Sequence, residues 1–155
     1  MHNFHGCSRH SLDDKARLIL PKRFVERVAA VDQQFTMTAG PDGCLMLLDR
    51  VSWEAMAKRF AQAPMGNLQV RTTRRLFLGH AEEIAPDKAG RIVLPDALRR
   101  YAKIEPGAEV VLVGAGDWIE VWSAKRWDEL MDGSQPELLF DWDGIHLADA
   151  DAVRT

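Results

Sequence analysis

The sequence predicts an α+β fold in which two copies of one β-β-α-β-β unit pack about a pseudo-two-fold axis, with flanking helices. Three observations carry this. Asp13-Asp14-Lys15-Ala16-Arg17-Leu18-Ile19-Leu20-Pro21 recurs 74 residues later as Asp87-Lys88-Ala89-Gly90-Arg91-Ile92-Val93-Leu94-Pro95, and both read D-x-x-x-R-[LI]-[IV]-L-P. At the same offset Phe24 meets Leu98, Gly40 meets Gly114, Leu45 meets Ile119, Leu47 meets Val121 and Trp53 meets Trp127. Short apolar runs separated by Gly, Pro and Asp turns then set the element type within each copy. Upstream, Phe4-His5-Gly6 resembles Phe77-Leu78-Gly79 at an offset of 73, which implies one inserted residue.

In chain order, residues 4–12 read as a first strand, and the charged D-x-x-x-R segment has the length of a hairpin connection. Leu18-Ile19-Leu20 reads as the returning strand. Pro21 and Pro95 suit the first helical position, where a missing N–H costs nothing and φ is preset. Helices are expected over residues 22–30 and 96–102, the first with Phe24 and Val28 one turn apart on one face. Third strands fall at 35–38 and 109–113. Turns at Gly40-Pro41-Asp42-Gly43 and Gly114-Ala115-Gly116-Asp117 lead to fourth strands at 44–48 and 118–122. Helices follow at 52–62 and 124–131, with Ser52 and Ser123 as expected N-caps. Residues 67–80 carry a third helical pattern. The predicted division is residues 1–62 as the first repeat, 63–76 as a connecting helix, 77–131 as the second repeat and 132–155 as an acidic tail. One copy alone buries too little surface to be safely stable, so the two should share a core.

The chain has 155 residues, 46% of them hydrophobic and 28% charged, which excludes collagen-like and fully disordered classes. No apolar run approaches the roughly 20 residues of a membrane helix, and the first residues lack a secretory pattern, so a cytoplasmic protein is expected. Cys7 and Cys44 make no disulfide framework.

The net charge of −3 is unevenly distributed. From residue 132 onward Asp132, Glu137, Asp141, Asp143, Asp149 and Asp151 face only Arg154, a net −5 that leaves +2 on the preceding residues. Residues 55–81 hold Lys58, Arg59, Arg71, Arg74 and Arg75 and no acid. A second local excess of positive charge lies between residues 9 and 27. Such patches can neutralise phosphates, and the acidic segment can compete with DNA for them.

The two D-x-x-x-R motifs place two carboxylates and two guanidinium groups at equivalent hairpin tips. Arg17 and Arg91 there can fork onto guanine O6 and N7 or onto a phosphate, with Asp13 and Asp87 orienting them. The alternative is an ion pair with no ligand, worth little at a surface. His2, His5, Cys7 and His10 have zinc-ligand chemistry, and a metal-dependent enzyme is the rival reading. In an extended strand, however, His5 and Cys7 face away from His2 and His10. No Gly-x-Ser-x-Gly elbow and no phosphate-cradling loop occurs. The tryptophans read as core, with Trp127 expected in the shared interior. A third reading is an oligomeric scaffold that binds no DNA.

Gly6-Cys7-Ser8, residues 11–17, Gly40-Pro41-Asp42-Gly43-Cys44-Leu45, Leu78-Gly79-His80-Ala81-Glu82-Glu83 and residues 87–95 together resemble the MraZ family, up to about Met131. The resemblance implies tandem AbrB-like swapped-hairpin domains forming a barrel. It also implies a nucleoid-associated repressor or activator, with no catalytic activity or cofactor, that binds double-stranded DNA at direct repeats upstream of its own division and cell-wall gene cluster. It implies a homo-oligomeric ring and DNA contacts by Lys15, Arg17, Lys88 and Arg91. One departure is Ala16, where the second copy and the family carry glycine, so the first turn either avoids positive φ or tolerates strain.

Overall fold

The computed structural model describes residues 4–29 and 34–133. Most of the acidic segment therefore lies outside the described residues, as does His2. The chain divides into two compact units, residues 1–124 and residues 125–155.

The first unit contains β1 (Cys7–Ser11), β2 (Arg17–Ile19), α1 (Lys22–Ala29), β3 (Phe35–Ala39), a 3-10 turn (Pro41–Gly43), β4 (Leu45–Leu48), α2 (Arg50–Gln62) and α3 (Leu68–Gly79). It continues through β5 (Glu82–Ile84), β6 (Arg91–Val93), α4 (Asp96–Ala102), β7 (Glu109–Gly114) and β8 (Trp118–Ser123). The order confirms an α+β chain with two β-β-α-β-β passages. The second unit's described part, residues 125–133, holds all but the first residue of α5 (Ala124–Asp132), on which Trp127 is half-buried and Leu130 and Met131 are exposed. Trp127, expected to be fully buried, is thus only half-buried and belongs to the second unit.

Strand pairing shows how the copies interlock. The six-stranded sheet runs β1-β7-β8-β4-β3-β5, so the first strand of each copy pairs with the third strand of the other. Every named pairing is antiparallel. The returning strands β2 and β6 leave this sheet and form a two-stranded ribbon of their own. Among the described residues the ladder ends at β1 and β5, and its hydrogen bonds close no barrel. Two pairs mark the pseudo-two-fold axis: Leu18 faces Ile92 in the ribbon and Met46 faces Glu120 in the sheet, each facing its own counterpart at offset 74.

One strand departs from the uniform offset. Phe35, Met37 and Ala39 face the core from β3, and Val110 and Leu112 face it from β7, which makes the offset there 75. The turn after Ala39 uses residues 40–44 before Leu45, whereas the turn after Gly114 uses only 115–118 before Ile119, which restores 74. Gly114 is thus not the structural counterpart of Gly40. The inferred 73-residue match of Phe4 to Phe77 also fails. Phe4 is a core residue bridged to Gly116, while Phe77 sits in α3 and stacks on Trp53 and Phe60. The paired strands place Ser8 and His10 over Glu82 and Ile84 at offset 74 instead.

The core follows from the strand alternation. Leu18, Ile92, Phe24, Leu98, Leu45, Leu47, Ile119 and Val121 bury one face of the sheet beneath the ribbon and the short helices. On the opposite face Met46, Leu48 and Phe77 are sealed by Trp53, Met56, Phe60 and Trp118. That second layer explains why β3 and β4 are buried at every position. Trp118 and Trp122 both donate their indole N–H to Glu120, at 3.2 and 2.8 Å, which satisfies polar groups beside a packed face.

The α2 helix starts at Arg50, ahead of the expected start at Ser52. The α2 N-cap is Asp49, whose Oδ1 accepts from the Ser52 N–H at 2.8 Å, so Ser52 receives the cap rather than providing it. Pro95 occupies the N-cap of α4, one position before the first helical residue. Gly114 is needed for contact with the opening segment: a Cβ there would lie 2.3 Å from the His5 backbone nitrogen.

Candidate nucleic-acid interface

Each D-x-x-x-R segment folds through its own aspartate. Asp13 Oδ1 accepts from the backbone N–H groups of Lys15 at 2.9 Å and Arg17 at 2.8 Å, and Oδ2 accepts from Arg17 Nε at 2.5 Å. Asp87 repeats this with Ala89 at 2.9 Å, Arg91 N–H at 2.9 Å and Arg91 Nε at 2.8 Å. A carboxylate with two oxygens at this position satisfies two turn donors and still grips the arginine, which a hydroxyl does not. The bond from the arginine backbone N–H leads in lowering the pKa of both carboxyls, desolvation offsets part of it, and the arginine side chain and Lys15 or Ala89 N–H add to the lowering.

The residue before each arginine turns left-handed, with φ of 58° at Ala16 and 79° at Gly90. Ala16 thus keeps the conformation that glycine supplies in the second copy, and strain is tolerated there. Its carbonyl accepts from the Leu94 N–H at 3.0 Å, and the Gly90 carbonyl accepts from the Leu20 N–H at 2.9 Å. Each loop is therefore tied to the strand end of the other copy. That reciprocal bond fixes the two loops against one another.

The predicted residues arrive as a set. Arg17 and Arg91 lie on the ribbon, held at Nε, with side chains 34% and 40% exposed and no partner at their terminal nitrogens among the described residues. Lys15 and Lys88 are exposed at the loop tips. In the ribbon register Arg17 faces Val93 and Arg91 faces Ile19. Ile19 and Val93 are themselves 59% and 54% exposed. Sequence reading assigned them only to a strand, although three successive apolar residues in a strand already require one to point away from the core. An open cleft of about 440 Å³ beside the ribbon is lined by Arg17, Arg91, Val93, Glu82 and Glu83.

The other candidates do not converge. His5 and Cys7 are exposed, while His10 bonds the Ser8 hydroxyl at 2.7 Å and is held below its ordinary pKa by burial and then by Arg23. Among the described residues no three His, Cys, Asp or Glu side chains are grouped to hold a metal. In the basic stretch 55–81, Arg71 donates to the Met65 carbonyl at 2.7 Å, and Arg74 contacts the Met65 sulfur. Among the described residues no helix is long and apolar enough to cross a membrane.

Interlocked tandem repeats presenting two aspartate-clamped arginines on one ribbon define a pseudo-dimeric α+β protein with two equivalent arginine clamps. The chain belongs to the MraZ family: the MraZ protein family, described as antitoxin-like, matches residues 4–76 and 77–141. Proteins named transcriptional regulator MraZ are similar along most of its length. That of Carboxydothermus hydrogenoformans is 36% identical over 132 residues, covering 85% of this chain and 89% of the relative. That of Moorella thermoacetica is 38% identical over 126 residues, covering 81% and 85%. That of Heliobacterium modesticaldum is 34% identical over 146 residues, covering 90% and 99%. The family is one of transcriptional regulators and not of enzymes.

Proposed function

We propose that this chain is a sequence-specific DNA-binding regulator that uses Arg17 and Arg91 to read or grip the duplex, with Lys15 and Lys88 on flanking phosphates and Asp13 and Asp87 as orienting groups. The observation that carries the reading is the pair of identical clamps on one ribbon. Each aspartate consumes Nε and leaves the outer guanidinium nitrogens available for a planar acceptor pair or a phosphate. The exchange of β1 and β5 between copies supports the AbrB-like swapped-hairpin arrangement that the family resemblance implies. The division into residues 1–62, 63–76, 77–131 and 132–155 belongs to the same reading.

The biological setting follows from the resemblance. It is a cytoplasmic, nucleoid-associated transcriptional regulator acting at direct repeats upstream of its own division and cell-wall operon, assembled as a homo-oligomeric ring so that several ribbons meet successive repeats. The test is a salt titration of binding to the DNA upstream of its gene. Affinity should fall steeply with salt, and Lys15→Ala or Lys88→Ala should each reduce the logarithmic slope by about one unit. A flat salt response would reject the electrostatic mechanism and favour a scaffold.

A further inference from the structure

Four side chains point outward from the β2–β6 ribbon, and only two of them are charged. Leu18 and Ile92 are buried, so their neighbours Arg17, Ile19, Arg91 and Val93 share the opposite face. The register sets Arg17 directly across from Val93 and Arg91 directly across from Ile19. The pseudo-two-fold axis through Leu18 and Ile92 therefore relates one arginine-aliphatic pair to the other.

Leaving a branched aliphatic side chain in water forgoes the free energy that its burial would release. Here that occurs twice, at symmetry-related positions 74 residues apart, beside both arginines that the proposed function places on DNA. Solubility and ribbon folding are served equally well by threonine at either position. Ile19 and Val93 lie across from the arginines that the proposed function sets on DNA, so what covers them there must present apolar groups beside hydrogen-bond acceptors. The major groove does this: it admits a two-stranded ribbon and carries the thymine 5-methyl next to guanine O6 and N7 and adenine N7.

We propose that Ile19 and Val93 are specificity-determining residues that pack on thymine methyl groups in the major groove, one on each half of a pseudo-dyad site, while Arg17 and Arg91 take neighbouring acceptors. The proposal rests on the DNA reading above and adds base discrimination to it. An arginine grip alone accepts any sequence with suitable acceptors or phosphates. An apolar contact distinguishes thymine from cytosine at the same place, because cytosine presents an N4 donor and no methyl.

The experiment replaces thymine by uracil, which removes the methyl and leaves every base-pairing and groove hydrogen-bond group unchanged. A duplex is selected with the full chain from a random library, and binding to its thymine and uracil versions is compared by fluorescence anisotropy at one salt concentration. Wild type should bind the uracil version about three- to fourfold more weakly for each thymine methyl that the ribbon covers. The double variant Ile19→Ser/Val93→Ser should bind both versions equally, whereas Ile19→Val, which keeps a branched aliphatic, should retain the discrimination. Unchanged melting temperatures would show that the exposed substitutions leave the fold intact. Equal binding of both versions by wild type, or discrimination that survives the double serine variant, would overturn the proposal while leaving DNA binding standing. Failure to select any duplex would overturn the DNA reading and this inference together.

Discussion

The two hairpin loops reach the same geometry from different residues. Asp13 to Arg17 and Asp87 to Arg91 make the same set of bonds within the loop, yet the left-handed residue is alanine in one and glycine in the other. The aspartate, with its three accepted bonds, and the reciprocal bonds to Leu94 and Leu20 determine the loop, and glycine only lowers the conformational cost. Their flanks differ more. The strand position that is Glu83 on β5 is Arg9 on β1, so the two copies carry opposite charges at equivalent strand positions.

The interior offers the largest effect. Leu18 and Ile92 face each other across the pseudo-axis and are fully buried, so Leu18→Ala and Ile92→Ala should each cost about 2 to 5 kcal/mol in urea unfolding. Both variants should unfold in one transition, since each copy contributes strands to the other. A cost under about 1 kcal/mol at one site, or two separated transitions, would break the equivalence of the halves.

The turns separate next. A Cβ on Gly90 would approach nothing closer than 3.7 Å, so Gly90→Ala isolates the cost of positive φ and should destabilise by about 1 kcal/mol. Ala16→Gly relieves that strain but loses a buried methyl and frees the unfolded chain, so its change should stay within about 0.5 kcal/mol. A Gly90→Ala protein as stable as wild type would mean that the two turns are interchangeable.

Flank charge should register more weakly. Glu83→Gln should tighten DNA binding about two- to threefold at low salt, and the gain should fade as salt screens it. Acid should have the smallest effect. Because the folded pKa values of Asp13 and Asp87 lie below the unfolded value, their contribution is present above the unfolded value and is lost as pH falls through the folded one. An Asp87→Asn variant should therefore show a shallower loss of stability below about pH 4. An unchanged profile would remove that carboxylate from the account.

Much of this was legible in the chain. The Asp, Arg and Pro of each motif fix a turn, a strand start and a helix start locally, so both loops and the β-β-α-β-β order could be read directly. The one-residue slip between β3 and β7 could not, because the shorter turn before Ile119 compensates it and the match resumes at Leu45. Partner exchange depends on long-range pairing that no local pattern encodes. Phe77 copied the Phe4 signal by composition alone, since an apolar residue before glycine serves a helix end as readily as a strand start. The candidate site residues are legible from their chemistry, whereas Ile19 and Val93 are not, because isoleucine and valine in a strand usually signify core.

The most direct measurement sets Arg17→Ala and Arg91→Ala side by side on one operator duplex at fixed salt, with melting curves in parallel. Each should weaken binding by about 1 to 3 kcal/mol without loss of fold, because each removes one of two equivalent clamped forks. Isotherms indistinguishable from wild type for both folded variants would contradict the claim that the paired loops form the DNA interface.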